Sequence, residues 1–541
     1  MTVPLGRRTL LFGGLCLPGT AAMASARPTP PAPAPATPAA FDATATVFHV
    51  APGPATTAPA GAGTAADPFR LGRGGEYVLN RRLRPFMDAG RPLAVSFADG
   101  TYRDVRLQII REGVDRDTIS LRDRDAAPSP AASPPPRITY ADTSRCNRDG
   151  QNCRVSPADF TIGRDRSAPL VLRAANPGGA VFDGAGLSGP PRIDSCALTI
   201  SGAVFGAPGE ACTASRSPPI TDIRVEGLAF RNYRDGIHVT AAARVVIADC
   251  HLAAIGNHAP RRGDPMLFGT FAFRIDGDSR EIVIRDCSAT GVRNAAGPDP
   301  DQRDDPGLIH AVYLGFAHDV VFRGNRFGDC SGPLVKFGFY PTVRDGAPVC
   351  TYPAAARQRC TVFVFNRFTL SAPPSTPGHD ADPVYAPQQC FIEENSMVDL
   401  PDGASAPAGG ALFLDNRFDN RLPARADTPV AFLRQELPPA VPAPVLPGWL
   451  FAGNVIAGIP PADLVATRHR GTPMSAASVI RMPDAAARLG LPAQAAATAT
   501  PLPPEQLGAR LRAAIAALPG PHDPAADRSL LDAASSPPAG P

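Results

Sequence analysis

Leu308 to Tyr340 reads LIHAVYLGFAHDVVFRGNRFGDCSGPLVKFGFY, and its apolar residues alternate. Val312 and Leu314, Val320 and Phe322, and Val335 and Phe337 each lie two apart, the period of a strand. Alternation puts Val312, Leu314, Val335 and Phe337 on one face and Tyr313 and Lys336 on the other. A Gly324-Asn325 turn follows the second run. Lys336 is the only lysine among 53 lysines and arginines. Where nearly every cation is arginine, a lone lysine points to a site wanting a compact amine that can lose its proton. Chance survival of one lysine is the plain alternative.

The run ending at Asn325 is one of a series. IRVEG precedes Leu228, VVIAD precedes Cys250, IVIRD precedes Cys287 and VVFRG precedes Asn325. FVF then precedes Asn366, FIEE precedes Asn395, LFLD precedes Asn416 and LFAG precedes Asn454. Three of these continue as Asn-Arg-Phe, and the steps are 22, 37, 38, 41, 29, 21 and 38 residues. The shortest match one coil of a parallel β-solenoid, and the longer ones match a coil carrying an inserted loop. An α/β fold would need amphipathic helices in the gaps, which hold Pro, Gly and Asp instead. Asn recurring after each run predicts a side-chain ladder at a tight turn, with Asn in left-handed backbone and its amides bonded up and down the stack.

The rest of the chain divides around these repeats. Residues 1–26 read as an export signal: Arg7-Arg8, an apolar run and a small-residue site at Ala24-Ser25-Ala26. The paired arginines match a twin-arginine signal, with an ordinary secretory signal as the alternative. Either places the protein in the periplasm or outside the cell. Residues 27–40 are a Pro/Ala linker, and 41–110 hold strands and an amphipathic helix, Glu76 to Ala89, suited to covering the open end of a solenoid. Residues 111–165 are a polar inserted loop, 166–460 the repeats, and 461–541 an extension with a short helix and a Pro/Ala/Asp-rich, disordered tail.

Composition excludes some classes. A net charge of +3 over 541 residues is too weak and too evenly spread for a nucleic-acid binder. No run after the signal approaches the ~18 apolar residues of a membrane span. Fifty Gly and 64 Pro with 6% aromatics describe a turn-rich chain, and a monomer is expected. Of the 11 cysteines, all but Cys16 lie beyond the signal, an even set for an oxidising compartment. Cys146/Cys153, Cys196/Cys212 and Cys350/Cys360 each close a short loop and are the expected disulfides. None has zinc-ligand spacing.

The repeat pattern resembles the right-handed parallel β-helix proteins of the pectate-lyase-like superfamily. PLVLRAANPGGAVFDG, from Pro169, is similar to an early coil of the chondroitinase-B and alginate-lyase group. His310-x-Val-Tyr-Leu-Gly, Gly332-x-x-x-Lys336 and Val398-Asp-Leu-Pro-Asp-Gly403 look closer to secreted β-helix proteins of unassigned activity. The resemblance implies an all-β fold: a right-handed parallel β-helix solenoid with an N-terminal capping helix and long inserted loops. Such a fold hosts lyases, hydrolases, epimerases and inert adhesins, so it does not decide the chemistry.

In a coil of that kind, carbohydrate lies along one outer sheet. If the Asn turn separates the second and third strands of each coil, His238, Arg274, Tyr313 and Lys336 line up outward on the first strands, ~4.8 Å apart. That row suits β-elimination on an acidic, uronate-containing polysaccharide, in which a cation neutralises the carboxylate, a base takes the C5 proton and an acid assists the leaving oxygen. Arg274 is the candidate neutraliser, Lys336 the base, as the resemblance also implies, and Tyr313 the acid or stacking platform. His238 and His310 are candidate substrate-binding residues. Asp276, Asp278, Asp304 and Asp305 offer hard oxygen ligands, with Ca²⁺ as the candidate cofactor. Each residue also has a structural reading: a solvated lysine or ion-pair partner, packing tyrosine, surface histidines and solvated turn acids. Removing an outward, solvated strand lysine is expected to cost no more than ~0.5 kcal/mol. The rival functions are a non-catalytic glycan-binding or adhesin module, and a glycoside hydrolase or epimerase on the same scaffold. A hydrolase needs paired carboxylates.

Overall fold

A computed structural model describes residues 45–111 (apart from 55–59 and 74), 168–185, 196–202, 219–256, 270–294 and 309–338 (apart from 278 and 316), 360–371, 390–395, 410–422, 430–437, 449–459 and 465–469, with scattered shorter pieces and single positions. The export signal and Pro/Ala linker lie outside these residues.

Period-two alternation becomes three long sheets of 11, 9 and 11 strands. One coil shows the pattern. Asp235–Thr240 lies in the third sheet, Ala242–Ala248 in the first and His251–Ile255 in the second, and Thr270–Asp276 returns to the third. Each strand pairs in parallel with its counterpart one coil on, and the winding is that of a right-handed parallel β-helix. Inward side chains from all three sheets fuse into one continuous core running from Phe48 to Val465. Val312, Leu314, Val335 and Phe337 are in it, as the alternation requires. The helix Glu76–Asp88 buries Leu79, Leu83 and Met87 in the same core. It lies against Phe69–Leu71 and Phe160–Ile162, which end the first and third sheets.

From Ile220 onward each passage from first to second sheet is a two-residue turn: Gly227-Leu228, Asp249-Cys250, Asp286-Cys287, Gly324-Asn325, Phe365-Asn366, Asp415-Asn416 and Gly453-Asn454. The ladder forms here. Asn325, Asn366 and Asn416 each donate through Nδ2 to the next Asn Oδ1 at 3.0 Å. The same oxygens accept the backbone N–H of the preceding rung at 2.9 Å. The remaining Nδ2 proton goes to a first-sheet carbonyl, Phe322 O at 2.9 Å in the case of Asn366. Two expectations need correction. The left-handed residue is the first of the two turn residues and not the Asn, with φ from 51° to 68° over the seven turns, so Gly and Asp dominate that position. Asn395 is not a rung; it ends the third-sheet strand Cys390–Asn395, and the ladder steps 50 residues from Asn366 to Asn416. Cys287 and Cys250 extend the stack upward with sulfur where the Asn amide would be.

Two phenylalanine columns run beside the ladder. Phe322, Phe363, Phe413 and Phe451 stack at 4.7, 4.6 and 5.1 Å between ring centroids. Phe327, Phe368 and Phe418, the Phe of each Asn-Arg-Phe, stack at 5.4 and 4.8 Å. In-register parallel pairing makes such columns automatic wherever a coil position repeats its residue.

No disulfide occurs among the described residues, and the expected Cys196–Cys212 bridge does not hold. Cys196 is a buried thiol, its sulfur 3.2 Å from Leu198 O and 3.1 Å from Gly236 O, and not half of a bridge to Cys212. Cys250, Cys287, Cys330 and Cys390 are likewise buried thiols, because inward-facing cysteines here serve as small apolar residues. Cys153, expected to close a polar loop with Cys146, instead opens the strand Cys153–Arg154, which pairs antiparallel with Thr139–Tyr140. With Phe160–Ile162 joining the third sheet, residues 111–165 are therefore more than a plain inserted loop. Cys360, expected to pair with Cys350, opens the first-sheet strand Cys360–Val364 and lies in register with Gly410. The partners Cys146, Cys212 and Cys350 lie outside the described residues.

The tail is not wholly without structure either. Leu511 and Ala534 are fully buried against Val321, Val362, Val364, Leu412 and Leu414, an apolar stripe on the outer side of the first sheet.

Candidate functional site

Because the first-to-second turn stays at two residues from Ile220 onward, the long insertions of those coils enter elsewhere. The segments between Ile255 and Thr270, Val292 and Ile309, Gly338 and Cys360, Leu370 and Cys390, and Asn395 and Gly410 all begin or end at an edge of the third sheet. The third sheet is therefore the face the chain elaborates.

On its outer side, register brings the row together. His238 pairs with Arg274, Arg274 with Tyr313, and Tyr313 with Lys336. The pairing continues from Lys336 to Glu393 and from Glu393 to Arg434. The neighbours of these residues, Ile237, Val239, Phe273, Ile275, Val312, Leu314, Val335 and Phe337, are core, so the row points away from the coil axis. Glu393 and Arg434 were missed in the sequence, though the signal was present. Inward Ile392 and Leu433 leave Glu393 and Arg434 outward.

The row is not a solvated surface. His238 is 1% exposed, Lys336 2%, Glu393 2% and Arg434 2%, while Arg274, Tyr313 and Asp276 remain part-exposed. Burial forces ion pairing. Asp276 accepts from His238 Nε2 at 2.9 Å and from Arg274 Nε at 2.5 Å, one carboxylate fixing both side chains. The Arg274 guanidinium also lies 5.6 Å from the Phe271 ring and 5.3 Å from the Tyr313 ring, in cation–π range. Lys336 Nζ is 3.6 Å from Glu393 Oε1, and Arg434 Nη2 donates to Glu393 Oε2 at 3.1 Å. Three cations thus face two carboxylates among the described residues of this cluster, an excess of positive charge suited to an acidic ligand. Tyr313 donates its hydroxyl to Gly338 O at 3.3 Å. A Cβ at Gly338 would lie 2.7 Å from that hydroxyl oxygen, so glycine there is what lets the ring lie flat along the sheet.

His310 lies nearer the start of the same strand as Tyr313, in register with Phe271 and with its ring centroid 5.8 Å from that of Tyr313. Burial, and next the charge of Lys336, hold its pKa well below the usual histidine range.

Of the proposed calcium ligands, only Asp276 lies among the described residues; Asp278, Asp304 and Asp305 do not. Asp276 is the shared counter-ion of His238 and Arg274, which leaves it poorly placed as a hard-cation ligand. Among the described residues no group of three or more His, Cys, Asp or Glu side chains gathers as a cation site. Asp276 by itself does not make a calcium centre.

No family model and no curated protein sequence matches the chain. Solved structures do resemble it in fold. An alginate lyase from Paenibacillus sp. str. FPU-7 is 12% identical with a TM-score of 0.31, the match covering 72% of this chain and 96% of that one. A rhamnogalacturonan lyase is 11% identical with a TM-score of 0.37, covering 72% and 74%. The Streptococcus pneumoniae surface protein and adhesin PfbA is 10% identical with a TM-score of 0.29, covering 72% and 87%. At such identities the likeness is one of fold alone, and it spans enzymes and an adhesin alike. No helix among the described residues is long and apolar enough to cross a membrane. The three parallel sheets, their shared register and the ladder at the two-residue turn make the chain a right-handed parallel β-helix.

Proposed function

We propose that this protein is an exported polysaccharide lyase that cleaves an acidic, uronate-containing glycan by β-elimination on the outer face of the third sheet. The observation that carries this reading is the in-register succession Arg274, Tyr313, Lys336 on three adjacent strands. Arg274, fixed by Asp276, neutralises the uronate carboxylate and so acidifies the C5 proton. Lys336 takes that proton as an amine. Glu393 is shared with Arg434, so its hold on the lysine is divided. Tyr313 lies between the two cations and serves as sugar platform or as acid to the leaving oxygen. Asp276 and Glu393 are both committed to ion pairs, which leaves neither as the protonated acid a hydrolase requires. Export rests on the amino-terminal pattern alone.

A glycan-binding module is the second reading, and the Lys336–Glu393 pair favours it, since a lysine so placed can be purely structural. Incubating the purified protein with polygalacturonate, alginate and chondroitin separates the two. Elimination creates an unsaturated uronate, so ultraviolet absorbance rises with time on at least one of them, with chelator present, because Arg274 supplies the positive charge. Binding with no rise on any acidic glycan would establish the module instead.

A further inference from the structure

The arginine of each Asn-Arg-Phe stands on a different face from the proposed chemistry. Phe327, Phe368 and Phe418 are core, so Arg326, Arg367 and Arg417 point outward on the second sheet. All three are exposed. Register sets Arg326 against Arg367 and Arg367 against Arg417, ~4.8 Å from strand to strand. Like charges placed directly opposite one another across strands destabilise a sheet. In the early coils the same face avoids this: Asp183 lies in register between Arg103 and Arg231 and accepts from Arg231 Nε at 2.9 Å. The later ladder has no such alternation. Asp419 is the one carboxylate paired with it among the described residues, 3.6 Å from Arg367, and Arg421 shares that acid at 3.0 Å. Arg326 and Arg417 have no ion-pair partner among the described residues. The next outward positions, Gly328 and Thr369, are small and uncharged. Each of these strands leads within its coil into the third sheet: Arg326 to Lys336, Arg367 to Glu393 and Arg417 to Arg434. The ladder therefore runs along the coil axis, level with the Lys336 end of the row and on the neighbouring face.

We propose that Arg326, Arg367 and Arg417 form a second glycan-binding track, which takes the carboxylates of a linear acidic polysaccharide lying along the coil axis outside the third sheet. The inference draws its ligand class from the glycan-processing reading of the third sheet and gives that glycan a further contact. A polyuronate suits the track because its charges recur along a line, as the guanidiniums do. Each guanidinium can meet a carboxylate through two parallel N–H donors. Contacts held at fixed spacing act together, so a long chain gains avidity that a single sugar does not.

The test is calorimetric titration of the whole protein with long-chain polygalacturonate and alginate, at low and at high salt. Arg326→Gln, Arg367→Gln and Arg417→Gln combined are expected to weaken binding about tenfold at low salt, the joint scale of three exposed ion pairs, and to flatten the salt dependence. The variant should unfold near the wild-type temperature, since all three side chains are on the surface. A control with the same charge change in the first coils, Arg70→Gln, Arg73→Gln and Arg82→Gln, is expected to keep wild-type affinity. Equal weakening by the control, or wild-type affinity in the ladder variant, overturns the proposal. So does tighter binding of wild type to single-stranded DNA or to phosphatidylglycerol vesicles than to either glycan, which would give the arginines another partner. Failure of the lyase reading looks different: the ladder variant still weakens glycan binding, but wild type forms no unsaturated product. Wild type that binds neither glycan would end both.

Discussion

Replacing Lys336 with methionine is expected to cut formation of unsaturated product by at least about a hundredfold, the scale of a lost general base, in a chain that still folds. Methionine retains the buried aliphatic stem, and Arg434 stays 3.1 Å from Glu393, so the carboxylate is not left alone. Alanine is the poorer probe. A solvated strand lysine would cost little to remove, but this side chain is 3% exposed and paired with Glu393 at 3.6 Å. Both variants lose that pair, but alanine also deletes the buried stem, and the cavity left costs about 2–5 kcal/mol of stability before any effect on chemistry is seen. Lys336→Arg sharpens the result: it restores the charge and the pairing yet should remain inactive, because a guanidinium does not give up its proton. Thermal unfolding alongside the ultraviolet assay reads both quantities. A folded methionine variant with wild-type turnover would move the base elsewhere.

The second large effect is on stability. Asn366→Leu is expected to lower the unfolding free energy by about 3–5 kcal/mol. It strands the Asn325 backbone N–H and one Asn325 amide proton, the Phe322 carbonyl and an Asn416 lone pair, each buried group costing about 1–3 kcal/mol before relaxation. Asn454→Leu, at the last described rung, should cost less by about one hydrogen bond: it strands the Asn416 N–H, one Asn416 amide proton and the Phe413 carbonyl, but no further rung's lone pair. Denaturant unfolding of the two variants checks the order, and equal losses would mean that the ladder does not act as a stack.

Much of the fold was legible because a solenoid writes its period into the sequence. Each coil repeats the same inward positions, and the ladder Asn marks one of them. The outer row was legible for the same reason. Once Val312, Leu314, Val335 and Phe337 were inward, Tyr313 and Lys336 had to be outward, and parallel register carried the row to His238 and Arg274. What alternation cannot report is what lies over a face. The burial of Lys336, and its pairing with Glu393, were invisible because period two fixes direction and not solvent access. Asn395 misled because it follows an apolar run as the rungs do, but it closes a third-sheet strand; only the pairing of Glu393 with Lys336 assigns that run to its sheet. Cys196 misled through its spacing to Cys212, although its neighbours Ala197 and Leu198 belong to the core cluster.

The most direct test of the whole account is to digest a responsive acidic polysaccharide in heavy-oxygen water and weigh the fragments. Elimination adds no water, so the account predicts fragments that carry an unsaturated end and no heavy oxygen. Saturated fragments with one heavy oxygen each would show hydrolysis, and would contradict the assignment of Arg274, Tyr313 and Lys336 to a lyase.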